Sequence, residues 1–260
     1  SDWSSDVCSS DLGAENRNLV FRGNIIHDFE SQGVQFNNYL RNKELHNTNI
    51  TFENNIFGPT RANVVNVADQ VDGFVFRHNT YIVFPEGRTF GRIKATNHNL
   101  RISPGCTDVQ VYNNILGTSG VRPREGWFVS HNLFQISRGD QPMGRHDLVN
   151  VDPQFVDPAA FDGKLKPTSP ALDAGTRATA PEALHPTGIH GVKRDARPDL
   201  GAVEMPGRDP APEAAPPKPT QPITTYVDDF ADGDFARVDP WLAGEHRQGL
   251  SWKVLSADEG

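Results

Sequence analysis

Leu19-Val20-Phe21-Arg22-Gly23-Asn24-Ile25-Ile26 is the first of five stretches built alike: two apolar residues at alternate positions, an asparagine three residues after the second, and a further apolar pair. The pattern returns at Ile50 to Phe57 around Asn55, Phe74 to Tyr81 around Asn79, Val109 to Leu116 around Asn114, and Trp127 to Phe134 around Asn132. Counted from the asparagine, position −5 is Leu, Ile, Phe, Val and Trp, position −3 is Phe, Phe, Phe, Val and Val, and position +2 is Ile, Phe, Tyr, Leu and Phe. Alternation with period 2 sends −5 and −3 to one face of a strand and −4 and −2 to the other, so the units are β and not α. Strands this short bury no face alone, and a self-similar unit at this spacing reads as a solenoid whose turns stack into one core.

Stacking gives the asparagines a structural purpose. If equivalent strands pair in parallel, successive Asn side chains lie about 4.8 Å apart, and each amide can donate to one neighbour and accept from the other. A buried amide in a repeating column is then satisfied rather than stranded, and this reading takes precedence over a ligand-binding role.

With these repeats the chain resembles the right-handed parallel β-helix proteins, over residues 16–204. Its C-terminal part carries the more specific likeness: Val151-Asp152-Pro153-Gln154-Phe155-Val156-Asp157-Pro158, then Leu165 to Gly175 (LKPTSPALDAG), then Arg197 to Glu204 (RPDLGAVE) look like the tail that closes such helices in bacterial secreted proteins. The resemblance implies an all-β fold, a right-handed parallel β-helix over residues 13–150 and a C-terminal cap over 151–204. It also implies an extracellular or cell-surface location and the carbohydrate chemistry of secreted polysaccharide lyases and hydrolases. An open terminal rung exposes unpaired backbone and apolar side chains, so a cap rich in Pro and turn residues is expected to cover it. Asp152, Asp157, Asp173 and Asp199 read as turn formers of that cap.

Both ends differ from the middle. Residues 1–12 look like a translated sequencing adapter and are set aside from fold reasoning, with the expectation that native N-terminal turns and any signal peptide are missing. That leaves Cys106 as the one cysteine of the remaining chain, so no disulfide framework is expected. All 19 asparagines fall between Asn16 and Asn150, which marks a composition boundary at the start of the cap. Residues 205–222 form a Pro-rich linker: seven of the seventeen residues from Pro206 to Pro222 are proline, a semi-rigid extended spacer. Residues 223–260 resemble the truncated start of a laminin-G-like β-sandwich, and so short a piece buries no core of its own. There Asp228, Asp229, Asp232 and Asp234 read as an acidic turn, with a Ca²⁺ site as the alternative.

Charge divides along the same lines. Residues 13–150 carry net +2 and residues 151–260 net −7, so the formal −8 of the whole chain describes the tail. Nothing is basic enough for a nucleic-acid stripe, no apolar run is long enough for a membrane span, and a monomer is expected.

Two patches suit chemistry. The −2 column of Arg22, Glu53, Arg77, Tyr112 and Ser130 points outward by alternation; it is either an alternating-charge ladder or the floor of a groove in which Tyr112 stacks on a sugar and Arg22 and Arg77 hold carboxylates. From Gly87 to Cys106 there is no acidic residue but Arg88, Arg92, Lys94 and Arg101, with His98 in a turn. Alternation in Arg92-Ile93-Lys94 sends both cations to one side, about 7 Å apart, and in Leu100-Arg101-Ile102 sends Arg101 outward. Clustered cations on rigid strands suit an acidic polysaccharide. They also suit a uronate lyase, which needs cations beside the developing carboxylate charge and a base of lowered pKa. In that scheme Lys94 is the base, Arg92 and Arg101 neutralise the carboxylate and His98 is the acid; the plain alternative is a solvated basic face.

The pattern departs from the lyases in lacking the Asp-rich calcium cluster and Arg signature of the pectate lyases, and it lacks the paired aspartates of the polygalacturonases. Asp69 and Asp72 stand just before Gly73 and read as part of a turn. The expected function is an extracellular carbohydrate-active protein, a lyase acting on an acidic polysaccharide. The alternatives are a non-catalytic glycan-binding or adhesion protein, and a glycoside hydrolase with its catalytic turns in the missing N-terminal part.

Overall fold

The computed structural model of the 260-residue chain describes residues 16–28, 33–36, 47–60, 62–68, 70–83, 89–90, 93–94, 98–119, 121–136, 144, 146–177, 186–206 and 253–254. Among these the fold is all-β, apart from one short 3₁₀ turn, Pro158–Ala160. The described residues exclude segment 1–12, nearly all of the linker, the aspartates at 228–234 and, except for the two-residue strand Lys253–Val254, the sandwich-like end.

From Arg17 to Ser119 the chain visits three sheets in the same order, interrupted once by the separate pair Thr89–Phe90 and Ile93–Lys94. The first sheet joins Arg17–Arg22, Asn47–Glu53, Val71–Arg77, Thr107–Tyr112 and Phe128–Ser130, all parallel. The second joins Asn24–Ile26, Ile56–Phe57, Thr80–Tyr81, Ile115–Leu116, Leu133–Phe134 and Leu148–Val149 in parallel, with Lys253–Val254 antiparallel on its edge. The third joins Val34–Phe36, Val65–Val67, His98–Ile102 and Thr118–Ser119. Register follows the repeat: Phe21, Phe52, Phe76, Val111 and Val129 pair in series, as do Arg22, Glu53, Arg77, Tyr112 and Ser130.

The interior is the expected one for alternation. Ile50, Phe52, Phe74, Phe76, Val109 and Val111 share one cluster with the +2 residues Ile26, Phe57, Tyr81, Leu116 and Phe134, and with Val34, Val65, Val67, Leu100 and Ile102 of the third sheet. Phe21 stacks on Phe52 at 4.4 Å, and Phe52 lies 5.9 Å from Phe76.

Two left-handed positions recur along the first sheet, one near the start of each strand and one just past its end. Asn18, Asn49, Gly73, Asp108 and Gly126 at position −6, and Gly23, Asn54, His78, Asn113 and His131 at −1, all have φ between 49° and 79°. Only glycine, and with lesser ease Asn, Asp and His, adopts that left-handed conformation readily, so the residue types at both columns are dictated by the bend. After the second bend comes the asparagine. Asn24 Nδ2 donates to Asn55 Oδ1 at 2.9 Å, Asn55 to Asn79 at 2.9 Å, Asn79 to Asn114 at 3.2 Å and Asn114 to Asn132 at 2.9 Å. Every donor points toward the later rung.

The tail packs along the side of the second sheet that faces away from the main cluster. Phe155, Phe161, Leu165, Ala171, Leu200, Ala202 and Val203 cluster with Ile56, Ile82, Ile115 and Leu133, with Ile25 and Leu148 at the margins. The reason is that the +1 column is apolar too, so both faces of this sheet need cover, as in parallel sheets generally. Thr80 is the polar break in that column, and its Oγ1 accepts the Ala202 N–H at 2.8 Å. Gly201, with φ 89°, sits so close that a Cβ there would lie 2.4 Å from Thr80 Oγ1.

Aspartates fasten the tail's turns. Asp152 and Asp157 accept the backbone N–H groups of Gln154 and Ala159, while Asp199 accepts those of Asp173 and Met205. Among the described residues no helix is long and apolar enough to cross a membrane.

Candidate functional site

The third sheet carries the candidate site on its outer face. Val34, Phe36, Val65, Val67, Leu100 and Ile102 point into the core, so the residues between them, Gln35, Asn66 and Arg101, share the opposite face. Gln35 pairs with Asn66 and Asn66 with Arg101 across parallel strands, which sets the three side chains in a row. Gln35 and Asn66 are buried, at 7% and 3% exposure, while Arg101 is exposed. Asn66 Oδ1, itself buried, has no hydrogen-bond partner among the described residues. A row of amides ending in a guanidinium offers donors and acceptors for hydroxyl groups and a fixed positive charge for a carboxylate.

Of the residues expected in the basic segment, Arg101 stands where alternation places it. Arg88 and Arg92 lie outside the described residues. Lys94 is in Ile93–Lys94, which pairs antiparallel with Thr89–Phe90, so this part of the segment is a hairpin of its own rather than a rung strand. His98, expected in a turn, opens the strand His98–Ile102 and pairs with Thr118.

The −2 column of the first sheet is in register but is no groove floor. Glu53, Arg77, Tyr112 and Ser130 are buried, at 4% exposure or less, and Arg22 alone is exposed. Glu53 takes Arg22 Nε at 2.5 Å on one oxygen and Arg77 Nε at 2.7 Å on the other, and Arg77 Nη1 donates to the Tyr112 hydroxyl at 3.2 Å. Burial by itself would raise the Glu53 carboxyl, but Arg77 and Arg22 hold it below its ordinary value. Arg77, likewise buried, is raised by Glu53 and Tyr112. This is an internal ion network, and Arg77 and Tyr112 are spent on it rather than presented to a ligand.

The tail explains the burial. Arg194, fully buried, donates Nη2 to Asn54 Oδ1 and Nη1 to Glu204 Oε2, each at 2.8 Å, directly beside Glu53 in the chain. Burial pulls Arg194 down to about 10 against the pull of Glu204 and Asp199, and pushes Glu204 up to about 7 against that of Arg194. His78, wholly buried at the same corner, is held well below the ordinary imidazole value by burial and by Arg194 and Arg77, so it is neutral. None of Arg194, Glu204 and His78 stands out in the sequence as a partner of the repeat. The signal that could have found the corner is the run of Gly, Asn, His, Asn and His immediately before the five asparagines.

Asn66 and Gln35 do not stand out in the sequence because the third-sheet strands lie outside the repeated asparagine motif. Among the described residues no group of three or more His, Cys, Asp or Glu is arranged to hold a metal ion. No protein-family model matches the chain, and no curated protein matches it.

Proposed function

We propose that the chain is a right-handed parallel β-helix protein of the extracellular, carbohydrate-active kind, and that the outer face of its third sheet holds an acidic polysaccharide. The fold part of the reading draws on the order in which the chain visits the three parallel sheets from Arg17 to Ser119, with one asparagine column running through the passes. The functional part draws on one observation, the aligned Gln35–Asn66–Arg101 row with its unpartnered buried carbonyl and exposed guanidinium. A uronate carboxylate pairs with Arg101, the exposed end of the row, beside the buried amides of Asn66 and Gln35. Binding is the better supported activity. Elimination by a base at Lys94 with His98 as acid is the catalytic extension, and it rests on the sequence pattern of the Gly87–Cys106 segment.

Retention on immobilised alginate, pectate and chondroitin, compared with a neutral glucan, tests the site. The expected result is salt-sensitive retention on the charged polymers that falls about tenfold or more in Arg101→Ala and Asn66→Leu. Equal retention on charged and neutral polymers, or no change in either variant, would overturn it. Ultraviolet absorbance of the polymer products separates the two activities, since elimination leaves an unsaturated sugar end and binding leaves none.

A further inference from the structure

The bend column at position −1 continues beyond the part that the tail covers. Asn54, His78 and Asn113 are tied to the tail or to each other: Asn54 Nδ2 donates to the Thr187 carbonyl, Asn113 Nδ2 to that of Thr176, and the His78 ring lies 3.1 Å from the Asn113 amide. The next two members are His131 and His146, both left-handed, with φ 52° and 66°. Pairing of Leu133 with Leu148 and Phe134 with Val149 sets them one strand spacing apart. His131 is half-buried and His146 exposed.

Their rings stand 4.8 Å apart between centres, with planes inclined at 34°. Imidazole binds transition metals at about 2.0–2.1 Å, so an ion on a ring's lone-pair axis lies about 3.2 Å from the ring centre. Two rings at the observed 4.8 Å then subtend about 100° at such an ion. That angle lies between the square-planar and tetrahedral values, so the fold already supplies the ring separation a chelate needs. Ser130 Oγ lies 2.9 Å from His131 Nδ1, and a hydroxyl accepting Nδ1–H there leaves Nε2 as the lone-pair nitrogen; ligating histidines carry such a partner on the nitrogen away from the metal.

We propose that His131 and His146 chelate one divalent transition-metal ion, each through a ring nitrogen. With two protein ligands the remaining positions belong to water, so the ion is exchangeable and the preference follows the general order for nitrogen donors, Cu(II) above Ni(II) and Zn(II). The site is independent of the polysaccharide row, which lies on another sheet.

The test is calorimetric titration of the full chain with Cu(II), Ni(II) and Zn(II), comparing the wild type with His131→Asn, His146→Asn and the double variant. Asparagine is chosen because Asn54 and Asn113 occupy the same column with the same left-handed backbone. The expected result is one ion per chain at about micromolar affinity, a loss of about tenfold or more in either single variant, and little further loss in the double. Unchanged affinity in either single variant, or losses that add as for two independent histidines, would overturn the proposal. Paramagnetic broadening of the imidazole signals by Cu(II) in the unmutated chain serves as a second measurement, free of any folding defect. His131 and His146 must broaden together and ahead of the other histidines among the nine; uniform broadening would also overturn it.

Discussion

Asn132 gives both its backbone N–H and its side-chain amide to one oxygen of Asp147, at 2.8 and 3.2 Å. Asp147 thereby takes the place that each asparagine holds toward the one before it, and its other oxygen accepts the Gly144 N–H at 2.7 Å. A carboxylate accepts and does not donate, so it ends a column whose amides all donate in one direction. Asp147→Asn keeps the oxygen that Asn132 uses and loses the one that Gly144 uses, so it should cost about 1 kcal/mol, whereas Asp147→Leu strands the Asn132 donors as well and should cost about 2 to 3 kcal/mol. Denaturant unfolding of the two variants checks this, and equal losses would show that the column does not depend on its terminal acceptor.

Phe52 is fully buried, stacked on Phe21 and within 6.0 Å of both Phe74 and Phe76. Phe52→Ala should cost about 3 to 5 kcal/mol, since neighbours fixed on parallel strands cannot collapse into the space. A measured loss below about 1 kcal/mol would remove Phe52 from the core.

Acid should destabilise the fold in two stages, set against Glu204, whose raised carboxyl favours the fold as pH falls from about 7 toward 4.5. His78 is depressed in the folded state, so its stabilising effect is present above the ordinary 6.5 and is lost as pH falls from there toward the folded value. Glu53 is also depressed, and its contribution is present above 4.5 and lost below it. His78→Asn, which suits the left-handed bend, should flatten the upper stage and leave the lower. Glu53→Gln should remove the lower stage and, by leaving Arg77 buried without its counter-charge, cost about 3 to 5 kcal/mol at neutral pH. Unfolding free energy measured from pH 3 to 8 separates the stages; identical profiles for all three proteins would contradict both assignments.

Gly201 is the point where the tail meets the second sheet. Gly201→Ala combines an unfavourable left-handed φ of 89° with contacts of 2.4 Å to Thr80 and 2.9 Å to Ile115. The variant should lose more than about 1 kcal/mol and release the tail first. Hydrogen exchange at Ile189 and Ala202 should then accelerate ahead of Phe52 and Phe76; uniform acceleration would show that tail and sheets unfold as one unit.

The columns were legible in the sequence because each is a direct product of period-2 alternation plus a repeated bend, and alternation is local. Leu19, Ile50, Phe74 and Val109 could be aligned by eye, and their strands pair in that register. What covers the outside of a sheet is not local. Alternation sends Arg77 and Tyr112 outward, but it carries no information on Arg194, which reaches Asn54 at the same corner from 140 residues further along the chain. The row of Gln35, Asn66 and Arg101 was hidden for a related reason: Gln35 and Asn66 become notable only beside Arg101, and that neighbourhood exists only once the strands pair.

Along the asparagine column the intervals are 31, 24, 35, 18 and 15 residues, yet each donor finds its acceptor. The column fixes one residue per pass and leaves the length between passes open. The longest interval contains the Thr89–Phe90 and Ile93–Lys94 hairpin without shifting the register on either side. Such a scaffold separates the part that must be kept from the part that can be rewritten. An engineer could splice a foreign loop between Val83 and His98, or shorten it, and expect the core to assemble as before, so long as Asn79 and Asn114 remain to meet.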